Sequence, residues 1–216
     1  MDYLLSQHEE RFNVLTHGLM AALVLLSSPF VIIHAYNTTP AMPMQAAISV
    51  GVFCFCLFLM FSASSIYHGL PNESHYKRIF NRFDHIAIFF AIAGSYTPLA
   101  LVVIGSSSGM ALLILEWSLV VAGIIYKSFV FRRNKLTAIL SPLIYLLMGW
   151  AVVFVFPEFI SKANPMCVAL IIAGGLLYSG GIAFYASKRE NMHLIWHLFV
   201  NGGAICHFVA IVFFLN

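Results

Sequence analysis

The chain predicts an all-α fold, a bundle of seven membrane-spanning helices, and three observations carry that prediction. Of its 216 residues 61% are hydrophobic and only 9% charged, where soluble domains carry roughly 25% charged residues. Seven apolar runs reach the roughly 20 residues a helix needs to cross a bilayer. The connections between them are short, so residues 1–216 read as a single seven-helix membrane domain.

The runs fall near 14–35, 46–69, 84–104, 109–127, 136–156, 166–187 and 193–215. Turn-forming residues punctuate them at Thr39-Pro40, Pro43, Pro71-Asn72, Ser106 to Gly109, Pro157 and Asn164-Pro165. Glu9-Glu10 precede the first run where a secretory leader would be basic, so no cleavable signal peptide is expected. Lysine and arginine set the orientation. Arg11, Lys77, Arg78, Arg82, Lys127, Arg132, Arg133, Lys135, Lys188 and Arg189 fall on one side and only Lys162 on the other, ten of eleven. This bias predicts a cytoplasmic amino terminus and an extracytoplasmic carboxyl terminus in a cell membrane.

Within the runs, Thr97-Pro98 predicts a kink in the third span, because proline removes a helical donor. Gly174-Gly175, Ser179, Gly180-Gly181 and Gly202-Gly203-Ala204 offer small faces for close packing of the last two spans. The four cysteines, Cys54, Cys56, Cys167 and Cys206, all lie in apolar runs and read as small buried hydrophobes, with no disulfide framework.

Ionisable side chains are costly inside a membrane, and those that occur there usually mark function. His193 and His197 are four residues apart at the start of the last span, hence about 6 Å apart on one helix face. The alternating topology brings the end of the second span, Ser64 to His68, and the start of the third, Asp84-His85, to the same depth. Three neutral imidazoles plus a water make an open, catalytic type of zinc site, in which the ion would lower the ionisation constant of that water. His68, His193 and His197 are the candidate ligands. Asp84 is placed to orient or deprotonate the water, and Ser64, one turn from His68, to hydrogen-bond Asp84, the water or a substrate oxygen. The spacing His193 to His197 lacks the glutamate of the metalloprotease motif, so the base must come from elsewhere.

Other polar residues are less decisive. Glu10, Asn13 and His17 lie at the cytoplasmic end of the first span, Asn13 and His17 on a shared face, as a helix cap or as outer partners of the site, with a structural role favoured. His85 points about 100° from Asp84, toward another helix or the interface. His207 stands roughly 21 Å along the helix from His193, too far to share its ion, and reads as an interhelical hydrogen-bonding or cavity-lining residue. Glu116, mid-way along the fourth span, is protonated, paired inside the bundle, or particular to this chain.

The motifs resemble the hemolysin III family, the bacterial branch of the progestin and adipoQ receptor proteins. Glu10, Asn13, Thr16 and His17 are similar to its E-x-x-N-x-x-[ST]-H opening. Ser64 to His68 is similar to its S-x-x-x-H element, and Asp84-His85 to its D-H. Ala93 to Pro98 resembles its A-G-[ST]-Y-T-P, and His193 to Phe208 its last-helix pattern. The resemblance implies zinc on His68, His193 and His197 with Asp84 acting through water. Related receptors are linked to ceramide hydrolysis, and bacterial members to haemolysis and membrane homeostasis. Two function classes follow: a zinc-dependent hydrolase of membrane lipid amides or esters, and a non-enzymatic lipid or membrane-state sensor with Zn2+ as a structural clasp. A pore-former fits poorly, for lack of lining charges or a releasable amphipathic segment. The expected partners are membrane lipids, with no nucleic acid.

Overall fold

A computed structural model describes residues 5–129, 135–187 and 189–215, and the side chains of 135–138 are not among the described ones. Of the charges counted for orientation, Arg132, Arg133 and Lys188 lie outside the described residues, as does the side chain of Lys135. Helices α1 (Gln7–Thr38), α2 (Pro43–Gly69) and α3 (His75–Pro98) are followed by α4 (Ser107–Phe129), α5 (Lys135–Gly149) and α6 (Phe156–Lys162), and then by α7 (Pro165–Ala186) and α8 (Met192–Phe213). Among the described residues seven helical stretches are long and apolar enough to span a membrane, α5 and α6 together forming the fifth. The all-α, seven-span architecture is as the apolar runs predict.

Burial sorts the helices into a centre and a rim. The most apolar windows of α2 and α3 are 56% and 61% buried, against 22% for α1 and α7. Phe53, Leu57 and Phe61 of α2 are enclosed, whereas Leu15, Leu19, Leu26 and Phe30 of α1 face outward. In water such a surface would be a liability, but in a bilayer it is the lipid contact.

Without water to satisfy free backbone groups, side chains must do so. Pro29 of α1 leaves the Leu25 carbonyl without its helical donor, and Ser28 Oγ donates to that carbonyl at 2.9 Å. After Thr97-Pro98, which stay within α3, the helix continues as a π-helical segment, Leu99–Ile104. Ser95 and Thr97 hydroxyls donate back to the Ala91 and Ala93 carbonyls at 2.7 and 2.8 Å.

The fifth span differs from the single run read over 136–156. It breaks after Gly149 into a 3-10 turn, Ala151–Val155, and restarts at Phe156 with Pro157 in the first turn of α6 rather than in a connection. Proline fits there because first-turn donors have no helical acceptor. The break is closed by α3: Tyr96 Oη donates to the Gly149 carbonyl at 2.8 Å and accepts from the Val152 N–H at 3.0 Å.

Glycines let α7 and α8 approach. Gly203 lies against the Tyr178 ring, where an added Cβ would come within 2.8 Å, and Gly174 lies against the ring of His207. All four cysteines are free, three buried and Cys206 half-buried.

Candidate metal centre

The amino-terminal end of α1, the carboxyl-terminal end of α2 and the starts of α3 and α8 gather at one end of the bundle. His68 comes from the last turn of α2, and His193 and His197 from the first two turns of α8. One nitrogen from each of these three histidines lies within 4.8 Å of the others. His68 and His197 are buried, at 3% and 2% exposure, and His193 is half-buried.

The donor set fits a metal ion. The Nε2 atoms of His68 and His193 stand 3.4 Å apart, close to the roughly 3.3–3.4 Å that a tetrahedral ion with metal–nitrogen bonds of about 2.0–2.1 Å requires. On the far side of its ring, His68 Nδ1 donates to Glu10 Oε2 at 2.6 Å. An ionised carboxylate can only accept, so the proton sits on Nδ1 and the Nε2 lone pair faces the cluster. His197 Nδ1 is buried with no hydrogen-bond partner among the described residues. Close approach of the three rings and a buried His197 nitrogen without a hydrogen bond among the described residues are what a ligand set would show.

Around the cluster, α1 supplies three more polar residues. Glu10 also accepts from Lys77 Nζ at 2.6 Å, so both of its oxygens are held and Lys77 balances its charge. His17 stacks on His197 with ring centroids 3.8 Å apart and meets Phe61 edge-on. His17 and Asn13 are buried, and their side-chain polar atoms have no hydrogen-bond partner among the described residues. Neither caps α1. That position belongs to Ser6, whose Oγ accepts the Glu9 N–H while the Glu9 carboxylate accepts the Ser6 N–H.

Beside the cluster lies a cavity of about 880 Å3, whose wall includes Ser64, Asp84, His193 and His197. Most of that wall is apolar, from Met60 and Ile92 to Phe159 and Ile171. Tyr178 and His207 also line it, with His207 Nε2 donating to the Ile171 carbonyl at 3.2 Å. His207 thus both bridges α7 and α8 and lines the cavity. His85 hydrogen-bonds Tyr185 of α7 at 3.3 Å, the interhelical contact its direction suggested. Glu116 is apart from the cluster, fully enclosed, with neither carboxylate oxygen hydrogen-bonded. Pairing inside the bundle is not realised for it among the described residues.

Sequence reasoning places Glu10 at the site's end of the first span but misses what the acid pair Glu9-Glu10 holds. The Ser-x-x-Glu spacing from Ser6 to Glu9 signals a helix start. That Glu10 would reach His68 and Lys77 depends on how α1 is rotated against α2 and α3, and no local pattern encodes that.

Comparison with known proteins agrees with the motifs. A family model described as Haemolysin-III related matches residues 5–208. Hemolysin-3 of Bacillus cereus is 35% identical over 96% of the chain and 92% of that protein. The Hemolysin-3 homolog of Bacillus subtilis (strain 168) is 34% identical over 95% and 94%. The Homo sapiens monocyte to macrophage differentiation factor, of the progestin and adipoQ receptor type, is 31% identical over 76% of the chain and 69% of its own length. With its seven spans and near full-length matches, the chain belongs to the haemolysin-III-related family of multi-pass membrane proteins.

Proposed function

We propose that the protein is a zinc-dependent hydrolase of membrane lipid amides or esters, acting in membrane homeostasis. The observation that carries this reading is the meeting of two features: a three-imidazole cluster fit for a metal, and a large apolar cavity whose wall holds two of those imidazoles with Asp84 and Ser64. His68, His193 and His197 would hold the ion. Zinc bound by three histidines supplies Lewis acidity and brings the ionisation of water toward neutral pH. Asp84 would accept a proton from the attacking water and return it to the leaving amine or alkoxide. Ser64 would hydrogen-bond the substrate carbonyl or steady Asp84. The apolar wall would hold acyl chains and exclude bulk water.

The test is incubation of detergent-purified protein with ceramides and phospholipids, reading released fatty acid. Zinc-dependent release is expected. In Asp84→Asn, zinc content should stay and turnover fall by about 10²–10⁴-fold. Zinc and lipid binding with no product from any lipid class would overturn the hydrolase reading in favour of the sensor. Full turnover in Asp84→Asn would remove Asp84 as base.

A further inference from the structure

We infer that Glu9 and Glu10 form a two-armed bracket through which α1 assembles the three-histidine cluster, making both acids positioning residues of the metal site. The inference rests on the metal-site reading and concerns how the site is built.

The cluster is divided between helices that touch each other little. His68 belongs to α2 and His193 and His197 to α8, and the contact of α2 with α8 is slight beside those each makes with α1. The spacing of His68 from the other two ligands is therefore set through α1. Successive residues on a helix diverge by about 100°, so adjacent carboxylates reach different neighbours. Glu9 turns to α8, and Glu10 to α2 and α3.

The Glu9 arm is fully buried. Its Oε2 accepts the Ser6 N–H at 3.0 Å and its Oε1 accepts the Asn191 N–H at 2.6 Å, across 182 residues of sequence. Asn191 immediately precedes α8 and has a left-handed backbone, φ 63°, and its side chain makes no capping bond. The start of α8 thus draws a partner from another helix. A carboxylate at a helix amino terminus also suits the helix dipole. His193 lies two residues beyond this anchor and His197 six, so the anchor fixes the height of both ligands.

The Glu10 arm holds the other ligand. Its Oε2 takes the His68 Nδ1 proton at 2.6 Å and its Oε1 accepts from Lys77 Nζ at 2.6 Å, while Lys77 also donates to the Leu70 carbonyl at 2.9 Å. One carboxylate thereby orients the His68 ring and ties the end of α2 to the start of α3. A carboxylate behind a metal-binding histidine typically affects metal affinity by about 10–100-fold.

The experiment uses the full chain in detergent. Zinc affinity is read by chelator competition, ligand geometry by the visible spectrum of the Co2+-loaded protein, and docking of the α8 start by hydrogen exchange of the segment around Asn191. Glu10→Ala should weaken zinc by about 10–100-fold, with partial recovery in Glu10→Gln, whose amide oxygen still accepts the Nδ1 proton. Glu9→Ala should speed exchange at Asn191, leave α7 unchanged and shift the Co2+ band. If Glu9→Ala does not fold, Glu9→Gln, which keeps one of the two acceptors, carries the same readouts. Glu158→Gln is the control: at the opposite end of the bundle Glu158 pairs with Lys162 and Ser108, so its loss should lower thermal stability without changing zinc affinity. Wild-type affinity and spectrum in both acid variants would overturn the bracket while leaving the metal site standing. Zinc binding absent from the wild type would remove both.

Discussion

Replacing Tyr96 by phenylalanine tests the account of the broken fifth span. The ring is 5% exposed and keeps its packing, so only the hydroxyl is lost. That hydroxyl donates to the Gly149 carbonyl and accepts the Val152 N–H, at 2.8 and 3.0 Å. Each buried backbone group left without a partner costs about 1–3 kcal/mol, while hydrogen bonds measured inside a membrane protein average about 0.6 kcal/mol and reach about 1.7. Two groups lost together should therefore cost about 1–4 kcal/mol, the lower end applying if the turn shifts to recover one partner. Reversible unfolding in mixed micelles, titrated with a denaturing detergent, measures this directly. Tyr96 and Gly149 also line the cavity, so lipid-dependent stabilisation should weaken in parallel. A change below about 0.3 kcal/mol would refute the reasoning, because a hydroxyl serving a buried N–H at Val152 and a mid-span carbonyl at Gly149, where lipid offers no donor, cannot be that dispensable.

Other outcomes follow from the same structure. Gly174→Ala places a methyl group into the His207 ring and should cost about 1–3 kcal/mol of stability through overpacking. Gly175→Ala, whose Cβ would meet Trp150 at an ordinary 3.4 Å, should be nearly neutral, and thermal melts of the two variants side by side check the difference. Asp84→Asn should retain metal while losing turnover, read as zinc content beside released fatty acid. Glu10→Ala should lower zinc affinity where Glu158→Gln does not, read by chelator competition.

Most of the fold was legible because the bilayer imposes a length on every span. The gathering of His68, His193 and His197 was legible for the same reason: alternating direction fixes which end of each run shares a leaflet. Rotation about each helix axis was not legible. Glu10 was therefore seen near the site without its partner, and His17 was placed on the correct face without its stack on His197. The break after Gly149 was hidden because the residues around it are uniformly apolar, and Pro157 pointed to a connection instead. Its cause lies on another helix, in the Tyr96 hydroxyl, and local sequence carries no trace of that. Glu116 was legible as an acid at mid-span, but nothing in the sequence foretold that both oxygens would lack a hydrogen bond.

The most direct measurement is the metal content of freshly purified protein, by elemental analysis beside His68→Ala and the double variant His193→Ala/His197→Ala. The account predicts about one zinc per chain in the wild type and none in the variants. Absence of bound metal in the wild type, even after zinc is supplied, would contradict it and leave the three histidines as groups that bridge helices by hydrogen bonds.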